Sequence, residues 1–378
     1  MTSFMRLMLV MLLALSFGFV PFNAMAAPLK DRLERPSRLS PQASLSPLTA
    51  LQTIDDALVV VGANGHVLLR RVNGEIVQAK VPVDLLLTAV HFADAKHGWV
   101  VGHDGVILTS TDAGKTWSKQ LDGRLISGLM EEWAKNEVER LEKANAAAPQ
   151  DADISIELEN AYFALDDAKA GIIAGPSRPL LDVWFRNSNE GWAVGAYGMA
   201  VHTMDGGKSW TFLGNLKNPE RLHLNTVLEL QDGTILIAGE GGKLYRSMDG
   251  GHNWQALNTF TRNSIYKLFQ LQDGRVYALG FGGTLFMSRD RGQNWLRIET
   301  SLPVSFYGTN QLTDGSLIVV GQGGMVLHSR DGMHFKHWQV PNKASLLGVT
   351  QVSDTQLAFI GSAGLTIMPL VKFREQLK

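Results

Sequence analysis

A G-x-x-G step recurs seven times along this chain, as Gly62–Gly65, Gly102–Gly105, Gly195–Gly198, Gly239–Gly242, Gly280–Gly283, Gly321–Gly324 and Gly361–Gly364. Successive first glycines lie 40, 93, 44, 41, 41 and 40 residues apart, so one gap alone breaks the period. A period of about 40 built from short apolar runs cannot bury a core by itself; it fits one four-stranded blade of a β-propeller. Seven copies therefore predict an all-β, seven-bladed β-propeller. Such a ring offers two faces and a channel, and the fold alone names no chemistry.

The second repeat shows the blade grammar most clearly. Thr88–Phe92 reads as a first strand and Gly98–Gly102 as a second. Val106–Ser110 reads as a third, and the turn Thr111–Trp117 leads into a fourth. In the long gap, from about residue 124 to 170, the text loses its glycines and becomes helical. Leu125, Leu129, Trp133 and Leu141 fall at multiples of four, Pro149 to Asp151 breaks the run, and Leu158, Tyr162 and Leu165 mark a second helix. The expectation is an α-helical hairpin inserted between blades two and three, with Trp133 and Tyr162 in its core. Residues 121–175 hold twelve acidic and five basic side chains, a net charge of −7. The whole-chain charge of −1 conceals this segregation and predicts neither nucleic-acid binding nor a membrane-surface patch.

The N-terminus has the form of an export signal. Arg6 precedes an apolar run from Leu7 to Val20, followed by the small-x-small step Ala24-Met25-Ala26. Residues 1–26 are read as a signal peptide and 27–47 as an extended Pro-, Ser- and Arg-rich lead-in able to close the last blade with a strand. Residues 48–378 are read as the propeller. Export with no cysteine at all excludes disulfides, thiol catalysis and thiolate metal sites, and suggests a bacterial periplasm or similar lumen.

Four repeats carry the turn D-x-G-x-[TSN]-W. Its members are Asp112, Gly114 and Trp117; Asp205, Gly207 and Trp210; Asp249, Gly251 and Trp254; and Asp290, Gly292 and Trp295. A fifth, Asp331-Gly332 leading to Trp338, reads as lengthened. The aspartate can accept hydrogen bonds from its own turn, the glycine supplies positive φ, and the indole packs between blades. The alternative is that the carboxylates bind calcium or catalyse. Recurrence in equivalent positions favours the structural role, because an enzyme site is usually unique. His328, His334 and His337 have no metal-ligand spacing, and neither a metal nor a cofactor is expected.

These turns resemble the Asp-box, or bacterial neuraminidase repeat. The longer strings from His97 to Trp117 and from Asn189 to Gly198 are similar to the photosystem II stability and assembly factor family of plants and cyanobacteria, and to its bacterial relatives. The resemblance covers roughly Leu48 to Pro369. It implies a seven-bladed, exported, non-catalytic propeller that binds a membrane protein or complex and aids its assembly; a monomer is expected. The partner is a photosystem subunit, and the site the thylakoid lumen or periplasm, if the host photosynthesises; otherwise an envelope complex such as a transporter is expected. The acidic hairpin and the simple export signal depart from that family's pattern.

Alternating strand directions place the G-x-x-G turns and the inter-blade loops on one face, with the hairpin, and the Asp-box turns on the other. Arg178, Arg221, Arg262 and Lys343 each precede a first strand by a few residues. They are the candidate partner-binding arc around the channel mouth; the alternative is that they pair with the acidic hairpin. Two other functions stay open, a neuraminidase-type glycoside hydrolase and a sugar-binding propeller without turnover. Arg178, Arg221 and Arg262 imitate a sialidase trio, but no Phe-Arg-Ile-Pro string supports one.

Overall fold

A computed structural model describes residues 31–377, and the signal-peptide reading of residues 1–26 lies outside them. Seven antiparallel sheets follow in chain order, six of four strands and the last of three, each a meander with sequential neighbours paired. The second strands are buried along almost their whole length, as in Gly98–Gly102, Ile235–Gly239 and Leu317–Gly321. They are sandwiched between neighbouring blades on both faces, which explains why they read as unbroken apolar runs rather than alternating ones. The fourth strands are short and exposed, as in Gln255–Ala256 and Leu296–Arg297.

Two steric facts make the G-x-x-G step obligatory. The first glycine of each step lies against the backbone carbonyl just before its own blade's first strand, Gly239 on His223 and Gly361 on Ser345, where a Cβ has no room. The last glycine takes positive φ, 67° at Gly105 and 73° at Gly242. The same contacts put these turns beside the inter-blade connections. Gly114 of an Asp-box sits instead beside Phe92, at the other end of the first strand.

The ring closes by side-chain packing. Ala43, Leu48, Leu58, Val60 and Leu68 pack with Ala358 and Ile360 of blade seven, and Arg70 Nη2 donates to Gln356 Oε1 at 3.2 Å. The expected closing strand from the lead-in is not found among the described residues. Leu33, 1% exposed, instead drops into the core between blades one and two, and Arg35 pairs with Asp84 at 2.8 Å. The lead-in then reaches blade seven through Ala43–Leu45, which lies against Gly364 without pairing as a strand. That blade ends in a short helix, α3 (Leu370–Glu375), whose Leu370 and Phe373 are buried against Phe359.

The insertion is a helical hairpin of α1 (Gly123–Ala147) and α2 (Ala152–Ala174), capped by Asp122 and Asp151, whose side chains accept from backbone N–H groups of the first turn. The buried stripe of α1 is Ile126, Met130, Ala134, Val138 and Leu141. The sequence reading holds at Leu141 and runs one residue early at the start of the helix, where Leu125 is 57% exposed and Ile126 is buried. Leu158 and Leu165 of α2 pack on Val138 and Leu141, whereas Tyr162 is 44% exposed and donates to Glu142. Ile126, Met130 and Ala168 join the core of blades two and three, so the hairpin is seated on the ring.

Candidate functional site

The Asp-box carboxylates are engaged within their own turns. Asp205 accepts from the Thr203 hydroxyl at 2.9 Å, the Ser209 N–H at 2.9 Å and the Ser209 hydroxyl at 2.6 Å. Asp112, Asp249 and Asp290 repeat the arrangement with Thr116, Asn253 and Asn294. The indoles pack on the preceding blade: Trp117 with Leu69, Trp210 with Trp99, Trp295 with Leu236. The fifth turn is shorter, not longer. Asp331 accepts from the N–H groups two and three residues on rather than four, and Phe335, not Trp338, packs into the core of blades five and six. Trp338 turns to the core of blades six and seven.

The first strands line the channel in layers. Their second residues are Thr49, Thr88, Leu181, Asn225, Tyr266, Tyr307 and Leu347, all half-buried, at the mouth beside the G-x-x-G turns. Thr49, Thr88 and Asn225 donate to the next blade's backbone, to Leu87 O, Leu180 O and Ile265 O at 2.6–2.8 Å. Tyr266 and Tyr307 instead lie side by side, ring centroids 5.7 Å apart. The mouth is thus polar on one side and aromatic on the other.

One layer deeper, the third residues of blades three to five form a polar chain that the sequence reading missed. Asp182 is 4% exposed. It accepts from Thr226 Oγ1 at 2.8 Å and from Lys267 Nζ at 3.1 Å. The signal was available, because Asp182, Thr226 and Lys267 occupy one equivalent position where blades six and seven have Gly308 and Gly348. Near this chain lies His91, whose Nε2 meets Phe185 O at 3.0 Å and whose pKa burial pushes down to about 4.

The four predicted cations divide into two pairs. Arg178 makes a two-pronged ion pair with Asp167 of α2, at 2.8 and 3.0 Å, and lies over the Tyr197 ring. Arg221 donates to Phe163 O of α2 at 2.7 Å, with Asp167 3.9 Å from its Nε. Both tie the hairpin to the ring. Arg262 and Lys343 are exposed and form no ion pair among the described residues. They precede the strands that carry Tyr266 and Leu347. Trp133 of α1 packs over Gly214 and against Phe212, centroids 5.4 Å apart. Beside it, α1, α2 and the loop leading to Arg221 enclose a groove of about 490 Å³.

A family model described as "Photosynthesis system II assembly factor YCF48" matches residues 70–131 and 174–264, omitting most of the hairpin. A Photosystem II assembly lipoprotein Ycf48 from Synechococcus sp. (strain CC9902) is 34% identical over 80 residues, 21% of this chain and 23% of the relative. The match thus spans about a quarter of that relative's length. Among solved structures, YCF48 bound to D1 peptide superposes with a TM-score of 0.59 at 17% identity, covering 90% of this chain and 98% of that one. YCF48 from Cyanidioschyzon merolae gives 0.57 at 16%, covering 88% and 97%. A GH74 enzyme of Niastella koreensis gives 0.56 at 13%, covering 85% and 52%. At these identities the structures speak for the fold. The matched repeat strings, and the ring they build, make this chain a β-propeller similar to the photosystem II assembly factors.

Proposed function

We propose that this chain is an exported, non-catalytic scaffold that binds a membrane protein at its channel mouth and aids its assembly or stability. The observation that carries the reading is that Arg262 and Lys343 are exposed just before the first strands of blades five and seven, beside the paired rings of Tyr266 and Tyr307. Cations that a fold leaves without partners, next to half-buried rings, suit an acidic extended segment of a partner. The partner is a photosystem subunit where the host photosynthesises and another envelope complex, such as a transporter, where it does not. A structure described as YCF48 bound to D1 peptide supports the photosystem form. The glycosidase reading has less support, since Arg178 and Arg221 of the imitated trio are engaged by the hairpin and the Asp-box carboxylates by their own turns.

The test is chemical cross-linking of the protein in its native membranes, with cross-linked peptides mapped by mass spectrometry. The reading expects one membrane protein linked through Lys343 and its neighbours, and no hydrolysis of a fluorogenic sialoside. Links confined to the Asp-box face, or sialoside turnover, would refute it.

A further inference from the structure

The outer face of α2 carries an apolar stripe that the propeller does not use. Ile156 is 56% exposed, Phe163 54% and Ile173 88%, and Ala170 is exposed between them. Ile156, Phe163 and Ala170 are seven residues apart and Ile173 follows three later, the spacing with which one helix meets another along a seam. The opposite side of α2, Ala161, Ala168 and Gly171, does the packing. Large apolar side chains left half-exposed in register are a marker of a contact surface. Their neighbours set its sign. Glu159 and Asp166 are exposed on the same face and form no ion pair among the described residues, and Lys169 is the only base of the helix. The platform is rigid, because Arg178 and Arg221 hold α2 and Trp133 seats α1.

We propose that this stripe docks a basic amphipathic helix of a partner protein. Its apolar residues would lie on Ile156, Phe163 and Ile173, and its Lys or Arg side chains opposite Glu159 and Asp166. A second copy of α2 would set acid against acid, and an anionic lipid surface would meet the same repulsion. The surface is separate from the cations at the channel mouth and does not rest on their role.

The probe is a labelled three-heptad helical peptide of Leu and Lys, with a Leu/Glu peptide as its counterpart, titrated against the protein by fluorescence anisotropy. The Leu/Lys peptide is expected to bind, more weakly as salt rises, and the Leu/Glu peptide is not. Ile156→Asp with Phe163→Asp should weaken binding at least about tenfold with unfolding temperature unchanged, since both positions are exposed. Glu159→Lys with Asp166→Lys should transfer the preference to the Leu/Glu peptide. Arg262→Glu with Lys343→Glu should leave the Leu/Lys affinity unchanged, which separates this surface from the channel mouth. Equal binding by wild type and the Ile156→Asp, Phe163→Asp variant would overturn the proposal. So would self-association, or binding to phosphatidylglycerol vesicles, that this variant abolishes.

Discussion

At the scale of single residues, the aspartates of the boxes show how a carboxylate can recur without acting on a substrate. The hydroxyl of Ser209, then its N–H, holds the Asp205 pKa down at about 2, and the Asn253 N–H and amide do the same for Asp249. A carboxylate whose folded pKa lies below its ordinary 3.8 adds stability above that pH, lost as the pH falls from 3.8 towards 2. Asp205→Asn should therefore flatten the decline of unfolding free energy below about pH 4; an unchanged slope would show that the turn does not hold the charge. His91 carries the opposite kind of group to the same side. Burial lowers its pKa from 6.5 to about 4, so the unfolded chain takes up the proton first. Stability should be complete above pH 6.5 and fall towards pH 4, and His91→Leu should remove that part of the curve, read by denaturant titration at stepped pH.

At the scale of elements, the strands and turns were legible because each repeat writes the same steric demands in residues with few substitutes. Gly239 against His223 O and Trp210 against the preceding blade are local rules, visible as text. The hairpin was legible as helix but not in phase at its start. Leu125 and Ile126 are equally apolar, and only the position of blades two and three decides which is buried. The fifth box misled for a related reason: Trp338 looked like the anchor, yet Phe335 stands nearer Asp331 and fills the place. Of the four cations, the spacing was readable but the split was not, because Asp167 reaches Arg178 and Arg221 only once the hairpin is folded back. The seating of the hairpin is testable by itself. Gly214→Ala puts a methyl where the Trp133 indole lies. Amide exchange should rise along α1 and α2 while the blades stay protected; unchanged exchange would show that Trp133 does not seat the hairpin.

At the scale of the molecule, a seven-fold text yields a ring that is not seven-fold. Among the described residues blade seven has three strands, the lead-in runs from the core of blades one and two to blade seven, and Asp182, Thr226 and Lys267 form a polar chain on one side of the channel. Lys267→Met leaves the buried Asp182 carboxylate without its cation. A fully buried pair broken this way loses about 3–5 kcal/mol. Lys267 is 41% exposed, so a loss of about 1–3 kcal/mol is expected from denaturant melts; a neutral substitution would mean that Thr226 and the backbone suffice. Arg262, Lys343, Tyr266 and Tyr307 belong to blades five to seven and the loops before them, whereas the hairpin's anchors Arg178 and Arg221 precede blades three and four. The most direct measurement is co-precipitation of a membrane partner by tagged wild type and by the Arg262→Glu, Lys343→Glu variant, both shown to melt alike. The account predicts that wild type brings down one membrane protein and the variant loses it. Equal recovery by both would contradict binding at the channel mouth.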